Sequence, residues 1–198
     1  MQSDARIRVL GVSSSMRARS YSKQALEIVL EHARKAGAEA HLLDLRQAAV
    51  PIYVPDVSEY NSKDLDAVTL EVERADAFVL ATPDYHGSMS GAMKNFLDHY
   101  WHEFAGKLFG YVVASHEKGL TVMDHMRTAV RQCYGWSMPY GVSLNSEQDF
   151  ANGSPNEKLA KRLGMLGRDL TVYGKVLRSQ FAADFASTEQ DTFVARFR

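Results

Sequence analysis

Two hydrophobic patterns alternate along this chain. Short runs of mostly apolar residues are each followed by a polar loop and then by a segment in which apolar residues recur at helical spacing. Such runs are typical of buried strands, and the longer spacing is typical of amphipathic helices. The apolar runs predict strands at residues 7–12, 40–45, 77–82, 108–114 and 139–144.

Helices are predicted in the segments between these strands. The helical spacing predicts a first helix that ends near Gly37 and further helices at 65–75, 92–100, 122–133 and 157–179. Strands that alternate with helices form parallel sheets with right-handed crossovers. We therefore predict an α/β fold, a doubly wound five-stranded parallel sheet with helices on both faces. Such sheets have two common strand orders, and we adopt the flavodoxin-like order 2-1-3-4-5. We expect one domain over residues 1–198.

Other segments lie outside this alternation. Residues 46–62 contain Pro51 and Pro55 and show no clear periodicity, so we predict a surface excursion that lines the substrate side of a site. Residues 151–156 are rich in Gly, Ser, Pro and Asn and are predicted to form a turn. The tail from Phe181 carries phenylalanines among charged residues, and it is predicted to be extended or to lie at an interface.

Composition narrows the class of function. The chain has 45% hydrophobic residues, 24% charged residues and a formal net charge of −1, which gives no electrostatic case for nucleic-acid binding. Its one cysteine, Cys133, excludes an intrachain disulfide and cysteine-ligated metal clusters. No apolar run approaches the ~20 residues of a membrane span, and residues 1–10 lack the apolar core of a signal peptide. We therefore expect a cytoplasmic protein that does not bind a membrane.

The loop after the first strand is rich in hydroxyl groups and positive charge. Residues 13–22 contain five serines, two arginines and no acidic residue, directly before a predicted helix. Because the first N–H groups of a helix lack intrahelical partners, this loop favours an anion. The triphosphate and dinucleotide motifs G-x-x-x-x-G-K-[ST] and G-x-G-x-x-G are absent, so a monophosphate is favoured. In the alternative interpretation, the serines only cap the helix and Arg17 and Arg19 are solvated.

Two further polar loops follow the third and fourth strands. The loop at 83–90 offers the flat side chains of Tyr85 and His86 and the free backbone groups around Gly87, which suit a planar ring. These side chains are also ordinary in loops. The loop at 115–119 would close the far edge of such a ring. In the predicted strand order, the three loops meet at one crevice.

Two other patterns are better explained without catalysis or metal binding. His99 and His102 have i, i+3 spacing on a predicted helix, but this spacing is common on solvated faces, and we predict no metal site. Ser115, His116 and Glu117 are adjacent in sequence, whereas a hydrolase triad is assembled from separate parts of a fold. Neither pattern therefore assigns a function.

Aromatic residues cluster at the end of the predicted third helix. Tyr100, Trp101 and Phe104 exceed what one core stripe requires. We therefore predict a contact between subunits of a homodimer or homotetramer.

The first and second loops each carry a recognisable motif. Ser15, Arg17 and Ser20 form S-x-R-x-x-S, and Ser22 follows two positions later. Residues 82–98 read T-P-D-Y-H-G-S-M-S-G-A-M-K-N-F-L-D. Together they resemble the NAD(P)H-dependent FMN reductase family of flavodoxin-like quinone, azo and flavin reductases. That family has G-S-x-R-x-x-S-x-N in its first loop and T-P-E-Y-N-x-S-x-x-G-x-x-K-N-x-x-D in its second.

The chain departs from the family pattern at a few positions. Ser22 stands where the family usually has Asn, Asp84 where it has Glu, and His86 where it has Asn. The third loop keeps only Gly119 of the family's usual glycine pair. The resemblance covers residues 7–139.

The resemblance implies an FMN cofactor with NADPH or NADH as co-substrate. Chemistry would take place at flavin N5, so no catalytic side chain is expected. The implied cofactor-binding residues are Ser15, Arg17, Ser20, Tyr21 and Ser22 in the first loop, Pro83, Asp84, Tyr85, His86 and Gly87 in the second, and Ser115 and Gly119 in the third.

The implied function is hydride transfer from NAD(P)H through bound FMN to a small electron acceptor such as a flavin, a quinone or an azo compound. Two other functions stay open. A flavodoxin-type electron carrier would bind FMN without nicotinamide activity, but such carriers are usually strongly acidic and this chain is almost neutral. A flavodoxin-like binding protein would take up no flavin at all.

Overall fold

The structure is a computed structural model and describes residues 6–150 and 153–197. A parallel sheet forms the centre of this part of the chain. The strands are β1 (Arg8–Ser13), β2 (Glu39–Asp44), β3 (Ala77–Pro83), β4 (Leu108–Ala114), β5 (Trp136–Ser137) and β6 (Val142–Leu144). Their order is β2-β1-β3-β4-β5, and β6 also pairs with β4. The predicted parallel sheet and its strand order are confirmed.

Helices cover both faces of the sheet, as predicted. They are α1 (Tyr21–Lys35), α2 (Lys63–Arg74), α3 (Gly91–Asp98), α4 (Leu120–Gln132), α5 (Ser146–Asp149) and α6 (Glu157–Ala186), with short 3-10 helices at His102–Phe104 and Phe193–Phe197. One core cluster lies between the sheet and α1 and α6. The other lies between the sheet and α2, α3 and α4. Among the described helices, none is long and apolar enough to cross a membrane.

The central strands explain why the sequence pattern was clear. Every residue of β3 and β4 except the last is buried. Strands covered on both faces require continuous apolar runs, and these two strands have them. The edge strand β2 is more exposed and has a weaker pattern.

Close contact between α1 and α6 fixes one face of the fold. A Cβ atom built on Gly167 would lie 2.2 Å from the carbonyl oxygen of Val29. One turn further along α6, Thr171 Oγ1 donates to Gly167 O over 2.9 Å. Only a glycine allows the two helices to approach this closely, and the long helix is thereby held against the sheet.

The last strand differs from the prediction of one strand at 139–144. It is divided into β5 and β6, and each of these two strands pairs with β4. Pro139 lies between them and has no N–H group for a strand ladder. Gly141 lies so close to Tyr111 O that a Cβ there would be 3.2 Å from it. The chain therefore bulges between two short pairings.

The C-terminal tail does not take the extended form, one of the two predicted for it, and its place at an interface stays a prediction. Instead of an extended segment from Phe181, α6 continues to Ala186 and the 3-10 helix at Phe193–Phe197 packs back on the same chain. The Phe193 ring lies 6.2 Å from Phe181 and 6.3 Å from Tyr134. The phenylalanines among the charges thus pack against aromatic residues of their own chain. In the predicted turn at 151–156, residues 151 and 152 lie outside the described residues.

The aromatic cluster after α3 belongs mostly to the core. Tyr100 and Phe104 are buried among residues of the same chain, whereas Trp101 is 53% exposed. Two of the three residues on which the subunit contact was predicted are therefore core residues.

Candidate functional site

The loops that follow β1, β3 and β4 meet at the carboxyl end of the sheet. These strands are neighbours in the sheet, and adjacent parallel strands bring the loops at their carboxyl ends together. The loops enclose a cleft of about 100 Å³. Its lining residues are Ser15, Arg17, Arg19, Ser20, Tyr21, Ser22, Pro83, Asp84, Tyr85, Ala114, Ser115, His116 and Ser146.

The first loop ends at the N-terminus of α1. Ser20 is the N-cap, and its Oγ accepts from the Lys23 N–H over 3.2 Å and lies 2.9 Å from Ser22 Oγ. The N–H groups of Tyr21 and Ser22 have no hydrogen-bond partner among the described residues. The first turn of α1 contains no acidic residue. These free donors and hydroxyl groups form a cradle suited to an anion.

Two arginines add charge to this cradle. Arg17 and Arg19 both line the cleft, and neither forms an ion pair within residues 6–150 and 153–197. Ser15 Oγ accepts from the Arg17 N–H over 3.4 Å, which holds the loop backbone near the cleft. The donor set therefore fits a phosphate group, with guanidinium, hydroxyl and backbone N–H donors around one position.

The second loop contains a tight turn at its tip. The N–H of Tyr85 donates to Ser88 O over 3.0 Å, and the N–H of Ser88 donates to Tyr85 O over 3.2 Å. His86 and Gly87 between them have φ values of 57° and 78°. Asn, Asp and His tolerate positive φ better than other non-glycine residues. His86 thus meets the same backbone requirement as the Asn that the family pattern has at this position.

Asp84 connects the second and third loops. Its Oδ1 accepts from the Gly87 N–H and its Oδ2 accepts from Ser115 Oγ, each over 2.8 Å. Its own N–H donates to Ala114 O over 2.8 Å. Both carboxylate oxygens are therefore engaged, and the relative position of the two loops depends on Asp84.

A buried pair of hydroxyl groups connects the first and second loops. Ser90 Oγ lies 2.9 Å from Ser14 Oγ and 3.1 Å from Ser14 O. Ser90 Oγ also caps α3 by accepting from the Met93 N–H, and the Ser90 N–H donates to Thr82 Oγ1 over 3.0 Å. Ser14 and Ser90 are both buried. No local pattern in the sequence predicts this contact, because the two serines are 76 positions apart.

Most of the predicted cofactor-binding residues line the cleft. They are Ser15, Arg17, Ser20, Tyr21, Ser22, Pro83, Asp84, Tyr85 and Ser115. His86 and Gly87 do not line it, because they form the exposed tip of the turn. Gly119 does not line it either. It precedes α4 with a φ of 58°, and a Cβ there would lie 2.7 Å from Val113 Cγ1.

Arg19 and His116 also line the cleft, and they lie in the first and third loops that were predicted to meet there. Two lining residues, Ala114 and Ser146, were not predicted from the sequence. Ser146 follows β6, beyond the segment in which the family motifs occur, and only the folded chain brings it to the cleft.

The segment at 46–62 packs along α3 and is not among the residues that line the cleft. Asn95 holds it: its Oδ1 accepts from the Tyr53 N–H and its Nδ2 donates to Pro51 O, each over 2.9 Å. His99 Nε2 also lies 2.9 Å from Pro51 O. Asn95 and His99 therefore position this segment.

The sheet order and the loops at the carboxyl ends of its middle strands define a flavodoxin-like α/β protein. The family model for NADPH-dependent FMN reductase matches residues 7–149. The chain belongs to this family, as its loop motifs predicted.

Curated relatives of this chain include two azoreductases. An NADPH azoreductase of Bacillus sp. (strain OY1-2) is 31% identical over 110 residues, which cover 54% of this chain and 62% of the relative. An FMN-dependent NADPH-azoreductase of Staphylococcus aureus is 29% identical over 153 residues, which cover 71% of this chain and 77% of the relative. This chain thus spans about three fifths of the length of the Bacillus relative.

The fold is shared with a flavoenzyme of known structure. FerB, the NAD(P)H:(acceptor) oxidoreductase of Paracoccus denitrificans, superposes with a TM-score of 0.70 at 18% identity. The match covers 87% of this chain and 98% of that chain. At 18% identity this match supports a shared flavodoxin-like fold and nothing more specific.

Proposed function

We propose that this chain, as one domain over residues 1–198, binds FMN in the cleft and reduces a small-molecule electron acceptor with NADPH or NADH. Bound FMN supplies the redox chemistry, since it takes a hydride from the nicotinamide and passes electrons to the acceptor. The observation that carries the proposal is the cradle at the N-terminus of α1. Its free N–H groups and serine hydroxyls lie beside two arginines that pair with no carboxylate of the described residues, in a chain of the FMN reductase family.

The first loop would hold the phosphate. Ser15, Ser20 and Ser22 offer hydroxyl groups there, and the α1 backbone offers its free N–H groups. Arg17 and Arg19 neutralise the phosphate charge, which a helix N-terminus alone does only in part. Because the loop carries no carboxylate, nothing in it repels the anion.

The second and third loops would hold the ring. Asp84 and Ser115 fix these loops against each other, and Tyr85 contributes an exposed aromatic face at the rim of the cleft. No side chain is required as a general acid or base for the hydride step, because the bound flavin would supply that chemistry.

The names of the relatives favour a more specific proposal. Two of them are called NADPH azoreductases, and we propose NADPH as the preferred reductant and an aromatic azo compound as an acceptor. We also propose that the protein works in the cytoplasm as a homodimer or homotetramer. The exposed side chains of Trp101 and Ile52, beside α3, support a subunit contact there.

An absorbance experiment tests the proposed function. The purified protein is incubated with FMN, freed of unbound flavin and mixed with NADPH in the absence of oxygen. We expect the bound flavin to bleach and to recover its colour when an azo dye is added, with loss of the dye colour. A flavin that stays oxidised would indicate an electron carrier, and a protein that takes up no FMN would indicate a binding protein without flavin. Either outcome would overturn the proposal.

A further inference from the structure

A second groove lies at the other end of the sheet from the cleft. It is bordered by α4, the turn after α4, β5 and the C-terminal 3-10 helix, and its volume is about 630 Å³. β5 pairs with Leu108 and Phe109 at the beginning of β4, whereas the cleft lies where β4 ends. The groove is therefore separate from the candidate FMN site.

Aromatic side chains form one wall of this groove. The rings of Tyr134 and Phe193 are parallel with centroids 6.3 Å apart, and Trp136 meets Phe193 edge-on at 6.4 Å. Arg196 donates to Tyr134 OH over 2.5 Å and holds this ring from behind. Trp136 is 50% exposed. The wall thus presents aromatic side chains that are already held by contacts with one another, which lowers the entropy lost on binding.

The turn that carries this wall is tightly packed against the rest of the chain. Tyr134 has a φ of 59°. A Cβ atom on Gly135 would lie 2.6 Å from Val130 Cγ1, so the turn packs tightly on the last residues of α4. The groove is consequently a feature of the folded chain and does not depend on a flexible loop.

The opposite wall carries positive charge. Arg127 Nη1 donates to Asp124 over 3.0 Å, and its guanidinium lies 5.6 Å from the centroid of the Tyr111 ring. Arg131 follows one turn later on α4, is exposed and has no carboxylate partner in the part of the chain that the structure describes. One positive charge at the groove is therefore not compensated.

We propose that this groove is a second ligand site and binds a planar aromatic anion, a small molecule that carries a carboxylate, sulfonate or phosphate group. Its ring would lie against Trp136 and its acidic group on the Arg131 guanidinium. Tryptophan offers the largest aromatic face of any side chain. The planar fork of arginine matches the two oxygens of such groups. The groove volume is also within the ordinary range for small-molecule sites.

Calorimetry tests this site. The protein is first saturated with FMN, so that the cleft is not available, and is then titrated with naphthalene-2-sulfonate and with the neutral naphthalene-2-carboxamide. We expect one sulfonate site, about tenfold weaker binding of the carboxamide, and about tenfold weaker sulfonate binding by Arg131→Gln. Arg74→Gln is the matched control, because Arg74 is also an exposed arginine in the last turn of a helix. It should bind the sulfonate as the unchanged protein does.

Fluorescence locates the site. The chain has two tryptophans, so Trp101→Phe leaves Trp136 as the only tryptophan reporter. We expect a saturable change in its emission with the same dissociation constant as the heat signal. Unchanged sulfonate affinity in Arg131→Gln, or binding that FMN abolishes, would overturn the proposal. Self-association that Trp136→Leu abolishes, together with no sulfonate binding, would assign the groove to a second copy of the chain and would also overturn it.

Discussion

The positive φ of His86 limits which side chains this position accepts. A β-branched residue is strained at positive φ by about 1–2 kcal/mol, whereas asparagine is tolerated. We expect His86→Val to lower the free energy of unfolding by that amount and His86→Asn to leave it nearly unchanged. Denaturant unfolding of the two variants measures this. Equal stability of the two would show that backbone conformation does not select the residue at this turn.

Arg17 is the residue whose loss should weaken FMN most directly. A charge-assisted hydrogen bond to phosphate contributes about 1.5–3 kcal/mol, so Arg17→Ala should raise the dissociation constant of FMN by roughly 10- to 100-fold. Quenching of FMN fluorescence in a titration gives the constant. Arg74→Ala, which removes an exposed arginine far from the cleft, should leave it unchanged. An unaltered constant in the Arg17 variant would contradict the phosphate assignment.

Residues differ in how far the sequence reveals their role. Ser15, Arg17 and Ser20 are close in sequence and precede one helix, so their shared chemistry is visible in the sequence. The contact of Asp84 with Ser115 joins loops 31 positions apart, and only the sheet order brings them together. Local patterns therefore predict the first loop better than they predict how the loops are fixed.

At the scale of elements, the contact between α1 and α6 should not tolerate a methyl group. Gly167→Ala would place Cβ against the Val29 carbonyl, and overpacking of this kind costs about 1–3 kcal/mol. We expect the free energy of unfolding to fall by that amount. Gly91→Ala in α3 is the control, because a Cβ there meets nothing within 4 Å. Denaturant midpoints compare the two, and equal midpoints would contradict the close approach of the helices.

Lys107 connects the beginning of β4 to the end of α2. Its Nζ donates to Val72 O and Glu73 O over 2.8 and 3.0 Å. Burial lowers the pKa of Lys107 to about 8 from an ordinary value of 10.5. The unfolded chain therefore holds this proton over a pH range in which the folded chain has lost it. The cost of burying the charge is present below about pH 8 and is relieved as the pH rises towards 10.5.

A pH series tests this linkage. Between pH 8 and pH 9.5, the free energy of unfolding of the unchanged protein should rise by roughly 1–2 kcal/mol more than that of Lys107→Met. Burial raises the pKa values of Tyr100 and Tyr111 to about 12. Above pH ~10 these tyrosines ionise more readily in the unfolded chain, which lowers the free energy of unfolding, so the series ends at pH ~9.5. Lys94→Met removes an exposed lysine as a control. A constant difference between the unchanged protein and Lys107→Met would contradict the linkage.

Elements buried on both faces were predicted best. β4 was predicted with its observed bounds, because a strand covered on both sides must be continuously apolar. The division of the last strand into β5 and β6 depends on the fit of residues such as Gly141 against β4 and α4, which no local pattern shows. The end of α6 was placed too early because contacts of Phe181 with a later segment stabilise the added turns.

For the whole molecule, the C-terminal 3-10 helix should contribute stability without contributing to the cleft. Val194 is fully buried, and burial of one such side chain stabilises by about 1.5–3 kcal/mol. Removal of residues 187–198 should lower the free energy of unfolding by at least this amount and leave the dissociation constant of FMN unchanged. Unfolding and FMN titrations of the shortened chain measure both. A large loss of FMN affinity at full folding would show that the two ends of the sheet are coupled.

The hydrogen-bonded serines Ser14 and Ser90 have a consequence for how a ligand is recognised. Because they join the loops that follow β1 and β3, these loops cannot shift independently without breaking a buried contact. The conformational entropy of arranging them is lost when the chain folds, before any ligand arrives. A ligand that contacts both loops must therefore match the fixed distance between them, so the site selects ligands by their length.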